Sequence, residues 1–429
     1  MQPIANWFSA SRRLSSFFLF GLILFALGIN GSVFLLSQSV IWLSVLMLFR
    51  YDAEKNAVVW NTGFWMHMHE LLKDPALRMM ILLFASVLVS GLWSQQRKDW
   101  IWFSRMQLPF LLLPVVFYLH GQLTRKHWRI FFIGLTAVSF FVSLAILADY
   151  FLHYERYHLL LLKGKTIVTH ISHIHFSMLI AMHAVLCLHV LLNPREFPGI
   201  AWRRVAGFLF AFFFFFNHLI SVKTGLLGMY LGLGIYGVVH FTQVKAPRKA
   251  WLLVVALAGM AALAFAALPS LQNKFYYSLW QIGEWQRGKW QDYSDLERLV
   301  SWQIGIELIR HDWLLGSGIG DLYQATKESY QECFGIPDGK LPHNQFLFNW
   351  AFTGLPGLLA LLGLIYHTAM QRRWLRHPLV CGIQMILLFS FLFEYMLETQ
   401  IGCSLYVYYT LFCWMYIRMQ EEKEIEAIP

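Results

Sequence analysis

The feature that most constrains this chain is a succession of apolar runs, each about 18 to 25 residues long, which is the length that crosses a hydrocarbon core of roughly 30 Å as an α-helix. Hydrophobic residues make up 58% of the sequence and charged residues 14%, with a mean hydropathy of +0.51. So few charges cannot cover the surface of a water-soluble fold, whereas lipid requires no such cover. The runs are continuous and do not alternate, which excludes a membrane β-barrel. The expected fold class is therefore an all-α integral membrane protein.

Twelve spans are expected, near 14–30, 33–49, 77–93, 101–119, 129–152, 172–192, 203–220, 224–242, 250–269, 345–369, 378–396 and 399–418. Asn30-Gly31-Ser32 separates the first two as a turn, and Pro109 and Pro114 should kink the fourth. The expected divisions are an N-terminal bundle of about nine spans (1–269), a polar loop (270–342), three C-terminal spans (343–420) and a short tail (421–429). Arg12 and Arg13 precede the first apolar run as in a signal peptide, but the run continues beyond signal-peptide length without a clean cleavage motif, so a retained span is expected.

The net charge of +10 raises the question of nucleic acid. The basic residues cluster at span ends instead, as in Arg372-Arg373-Trp-Leu-Arg376, and no basic stretch interleaved with aromatics lies outside the spans. Nucleic-acid binding is not expected. Placing the clusters on the cytoplasmic side puts both termini inside and the 270–342 loop outside. The count of spans decides this, since one fewer would move the loop to the cytoplasm. Of the five cysteines only Cys333 lies in that loop, a pattern that fits neither a disulfide framework nor a zinc site.

The loop contains a helical pattern over 294–310, with apolar residues at Leu299, Trp302, Ile306 and Ile309. Asp295 and Glu297 stand where they favour the helix dipole. Arg298, near its start, reads on position alone as a surface arginine paired with a neighbouring carboxylate. Gly316-Ser-Gly318-Ile-Gly320 has the wrong spacing for a dinucleotide fingerprint and suits a tight turn back to the membrane. His343 and Asn344 directly precede an apolar span. An imidazole there can take a proton from a hydroxyl near neutral pH, while a helix-capping His-Asn pair explains the same residues equally well.

Other polar residues sit at or within the spans: His170, His173 and His175, then Ser221-Val-Lys223, and Glu394 with Glu398-Thr-Gln400. Charges at membrane depth are costly and are usually functional or paired. Lys223 and Glu398 are expected near the outer face, in one polar cavity. The i, i+3, i+5 spacing of the histidines does not put all three on one helical face, so no metal is expected.

Taken in order, Arg298 to Trp302, Trp313-Leu-Leu-Gly-Ser-Gly-Ile-Gly320 and His343-Asn344 before a glycine-containing span resemble the O-antigen ligase and polymerase family. Ser221-Val-Lys223 is similar to the family's Ser-x-Arg segment with lysine for arginine, and Glu398-Thr-Gln400-Ile-Gly402 resembles a motif of its Bacteroidetes-type members. The resemblance covers 220–415 best. It implies a membrane glycosyltransferase of the all-helical type in the bacterial inner membrane, with no metal or other cofactor and an active site facing the periplasm. The donor would be a glycan on undecaprenyl diphosphate, and the acceptor a hydroxyl of lipid A–core (for a polymerase another carrier-linked glycan, for a protein O-oligosaccharyltransferase a protein). It further implies Arg298 and Lys223 on the diphosphate, His343 at the acceptor hydroxyl, and Asn344, His173, Glu398 and Gln400 at the substrates. Arg298 would then be catalytic with His343. A secondary transporter would also have about twelve spans, but no internal duplication is visible and the polar residues gather at one face. A non-enzymatic scaffold would retain function without His343 and Arg298.

Overall fold

A computed structural model describes residues 12–52, 55–121, 125–162, 165–194, 196–287 and 294–426. The chain is an all-α membrane protein, apart from one antiparallel pair, β1 (Phe49–Asp52) and β2 (Ala57–Trp60). The first helices are α1 (Arg12–Ile29), α2 (Val33–Leu46), α3 (Phe64–Leu71), α4 (Pro75–Ser90), α5 (Arg97–Met106), α6 (Pro109–His120), α7 (Arg125–Leu152) and α8 (Tyr154–Leu162). Then come α9 (His173–Leu192), α10 (Ile200–Ile220), α11 (Lys223–Gln243), α12 (Pro247–Ala267), α13 (Pro269–Gln286), α14 (Ser294–His311) and α15 (Leu322–Phe334). The last three are α16 (Gln345–Ile365), α17 (Pro378–Phe391) and α18 (Gln400–Glu426). Residues 288–293 of the expected loop and 427–429 of the expected tail lie outside the described residues.

Every one of the twelve expected segments is helical, but the helices are unequal. Among the described residues, seven segments (the α5–α6 pair counted as one) are long and apolar enough to cross a membrane, α2, α4, α17 and the apolar part of α1 are shorter, and the 27-residue α18 falls in neither group. A helix of 14 to 16 residues rises only about 21 to 24 Å, so turns at its ends or a locally thinner bilayer must complete the crossing. The fourth expected span is two helices, α5 and α6, broken at Gln107–Leu108, with Pro109 beginning the second and Pro114 inside it.

The core sits around α9 and α18. Nine-tenths of the apolar stretch of α9 is buried (89%), against 11% for α12, which lies at the periphery. Residues 402–417 of α18 are all buried, Tyr406, Tyr408 and Tyr409 among them. Side-chain contacts sort the connections into two ends. At one end His120 meets the Leu46 carbonyl, Trp414 donates to Asp74, and Arg373 pairs with Glu421. At the other, Asn273 donates to the Leu162 carbonyl, Lys274 reaches Ser221, and Asp321 accepts from the amides of Gln95 and Gln96. The polar helices α13, α14 and α15 all lie at this second end.

Two local expectations change. The buried apolar face of α14 is Leu296, Val300, Ile304 and Leu308, an i, i+4 row joined by Ile309, while Leu299, Trp302 and Ile306 lie outside it. The helix is apolar on two sides, and Ile306 stays exposed while Leu299 and Trp302 line a cleft. The glycine-rich segment is more than a turn: it docks against α16 where that helix breaks. Gly354 has φ +66°, the Ser317 amide donates to the Ala351 carbonyl (2.9 Å), and the Leu355 amide donates to the Leu314 carbonyl (3.1 Å). A Cβ on Gly354 would stand 2.3 Å from the Leu314 carbonyl oxygen, so backbone meets backbone at a distance only glycine permits.

Candidate active site

Four elements meet at the loop end: the start of α11, the first turns of α14, the start of α16, and the 392–399 connection. Each is fixed by its own local chemistry. Gln281 on α13 accepts from the amides of Asp295 and Leu296 (3.0 and 3.3 Å), capping α14 from outside the helix. The Asn344 side chain accepts from the amides of Phe346 and Leu347 (2.9 and 3.1 Å), so it is the N-cap of α16, and its amide donates to the Leu392 carbonyl. The His343 backbone is held from both sides by α14: its amide donates to Ser301 Oγ (3.0 Å), and its carbonyl accepts from Trp302 Nε1 (2.8 Å). Ser221 ends α10 in the left-handed region (φ +55°), and Lys223 begins the next helix.

These elements set five ionisable side chains in a row in which basic and acidic groups alternate. Lys223 Nζ is 2.7 Å from one oxygen of Asp295, and the other oxygen is 3.3 Å from Arg298 Nη1. Arg298 Nη2 is 2.6 Å from one oxygen of Glu394, whose second oxygen is 3.5 Å from His343 Nδ1. That last distance is too long for a good hydrogen bond, and Nδ1 has no hydrogen-bond partner among the described residues. The ring of His343 instead packs on Tyr395 at a 4.7 Å centroid distance. The arginine is only 23% exposed and Glu394 only 10%, so the Arg298–Glu394 pair is weakly screened. Breaking one partner of such a pair typically costs about 3–5 kcal/mol.

A cleft of about 310 Å³ opens beside this array. Lys223, Ser278, Asp295 and Arg298 line it on one side, with Trp302, Leu299, Phe389 and Phe393 on the other. Burial alone would raise the Asp295 carboxyl, but hydrogen bonds from Lys223 and Ser278 hold it below the usual carboxylate range. Behind the cleft, Lys274 is only 7% exposed, and its ammonium donates to the Ser221 carbonyl at 2.5 Å. Desolvation, then the neighbouring Lys223, lowers its pKa to about 8.

The residues singled out from sequence do not all converge here. Lys223, Arg298 and His343 do. His173 is exposed at the start of α9, within electrostatic reach of Lys274, Glu394 and Arg298. Glu398 is buried nearby and accepts from the Tyr323 hydroxyl (3.3 Å); burial pushes its pKa up to about 7. Gln400 is set apart: it donates to Ser37 Oγ (2.7 Å) and lines a separate groove of about 620 Å³ between α2 and the α5–α6 pair. Lys223 and Glu398 therefore line no common cavity among those described.

Sequence reasoning marked Glu394, the carboxylate that joins Arg298 to His343, only as functional or paired and named no partner for it, and it gave no role to Lys274 or Ser278. The signal for Glu394 pointed to a cation without saying which. Glu394 stands alone among apolar residues in Phe391-Leu-Phe-Glu394-Tyr-Met-Leu, where an acid needs a cation. Nothing comparable marks Ser278, whose importance depends on helix packing.

No curated protein matches the chain. Residues 206–362, which contain Lys223, Asp295, Arg298 and His343 but neither Glu394 nor Glu398, match the family described as O-antigen ligase.

Proposed function

We propose that this protein transfers a glycan from undecaprenyl diphosphate to a hydroxyl of lipid A–core at the periplasmic face of the bacterial inner membrane, without a metal. The observation that carries the reading is the Lys223–Asp295–Arg298–Glu394–His343 array beside an apolar-walled cleft. The cationic side chains suit a diphosphate, and arginine's planar fork suits its paired oxygens. Phe389, Phe393 and Leu227 give a polyprenyl chain an apolar flank.

In this mechanism the acceptor oxygen attacks the anomeric carbon of the donor sugar. The carbon–oxygen bond to the diphosphate breaks as the new glycosidic bond forms. Arg298 and Lys223 stabilise the negative charge that develops on the departing diphosphate. His343 takes the acceptor's proton, and Glu394 holds the resulting imidazolium. Asn344 contributes by capping the helix that presents His343. His173 and Glu398 border the site as candidate sugar contacts, whereas Gln400 serves any substrate only from the separate groove.

The test is transfer by the purified full chain in proteoliposomes supplied with a diphosphate-linked glycan and lipid A–core. His343→Ala and Arg298→Ala should each lower the rate by about 10²–10³ while the protein inserts and accumulates normally. Full activity in both would refute the reading. Elongated carrier-linked glycan in place of modified lipid A–core would identify a polymerase.

A further inference from the structure

Asp295 divides its two oxygens between the two cations assigned to the donor. One oxygen takes Lys223 at 2.7 Å and the other takes Arg298 at 3.3 Å. Ser278 Oγ adds a donated hydrogen bond at 2.6 Å to the Lys223-facing oxygen. A carboxylate bridging two cations through separate oxygens imitates a diphosphate doing the same. All three charged groups line the cleft, Lys223 39% exposed and the other two 22–23%. Both cations are thus already partnered by a carboxylate.

A hydrogen bond to Asp295 is not what holds α14 in place, because Gln281 caps that helix through backbone amides. The carboxylate is free to move without unravelling the turn. The surroundings also hold positive charge to spare. Lys274 lies behind Lys223 and has a carbonyl as its partner, while Glu394 is engaged with Arg298 and His343. His173 faces the same group from α9.

Resting on the donor assignment above, we propose that Asp295 is an internal counter-ion: it holds Lys223 and Arg298 at the spacing of a bridging anion and is displaced by the diphosphate. Such a device selects among anions. A diphosphate can replace both contacts of the carboxylate at once and gains from the remaining positive charge. A single phosphate must compete with Asp295 for two cations using less charge. The carboxylate therefore weakens all anion binding and weakens that of small anions most.

The experiment measures calorimetric binding of inorganic pyrophosphate and of inorganic phosphate to the full chain in phosphatidylcholine nanodiscs. Asp295→Asn, which keeps the shape and removes the charge, should bind pyrophosphate about tenfold tighter than wild type and lose much of its preference over phosphate. Ser278→Ala, which loosens the hold on Asp295, should move both values the same way by less, and it decides the matter if Asp295→Asn does not fold. Unchanged or weaker pyrophosphate binding in these variants would overturn the proposal, as would absence of binding in all of them. Wild-type binding that survives Arg298→Ala and Lys223→Ala would instead overturn the donor assignment.

Discussion

At the scale of residues, the site is defined by carboxylates that bridge basic side chains. Glu394 ties Arg298 to His343, and Asp295 ties Arg298 to Lys223. Glu398 differs from both because among the described residues its partner is the Tyr323 hydroxyl and not a cation, and its pKa rises to about 7. The unfolded chain binds this proton only below about 4.5. Raised folded-state affinity gives stability that is fully present at low pH and is lost as pH rises through about 7. Glu398→Gln, which cannot ionise, should therefore gain thermal stability relative to wild type between pH 5 and pH 8, on the order of 3 kcal/mol at most. A difference that stays constant across that range would contradict the assignment of a protonated Glu398. Arg298 and His343 were legible in the sequence because each is a polar residue in a recognisable order of motifs. Their pairing through Glu394 was not legible, since it joins residues nearly a hundred positions apart.

At the scale of elements, secondary structure followed from local chemistry more readily than facing did. The helix at 294–311 was expected from its periodicity, yet it carries apolar residues on two sides, and only packing decides which row is buried. The capping reading of Asn344 was open from sequence, and the two amides it accepts from establish it. The glycine-rich segment showed its glycines but not their partner, because the second half of the contact is Gly354 in a different helix. Gly354→Ala should lower stability by about 2 kcal/mol or more, since it combines positive φ with a 2.3 Å approach to a carbonyl oxygen. Thermal unfolding in detergent measures this. A midpoint equal to wild type would mean that the break in α16 relaxes at little cost.

For the whole molecule, composition established the class, while the expected spans matched helices only to within a few residues at their ends. Among the described residues seven segments meet the length and apolarity of a full crossing, and four apolar helices are shorter. Orientation can be tested with the native cysteines, because Cys333 on α15 is exposed and the other four are buried. Partial burial, with Glu307 and Glu332 nearby, raises its thiol pKa, so labelling should accelerate with pH. A membrane-impermeant maleimide should modify intact cells with a permeabilised outer membrane at this one residue. Labelling only after the inner membrane is opened would place the loop in the cytoplasm and remove the periplasmic chemistry with it. The most direct test of glycan transfer uses a strain lacking this protein, complemented with wild type, Arg298→Ala or His343→Ala, and reads the banding of its lipopolysaccharide. Wild type should restore long glycan on lipid A–core and neither variant should, although both accumulate in the membrane. Restoration of the full ladder by either variant would contradict the role given to that residue, and restoration by both would contradict the account as a whole.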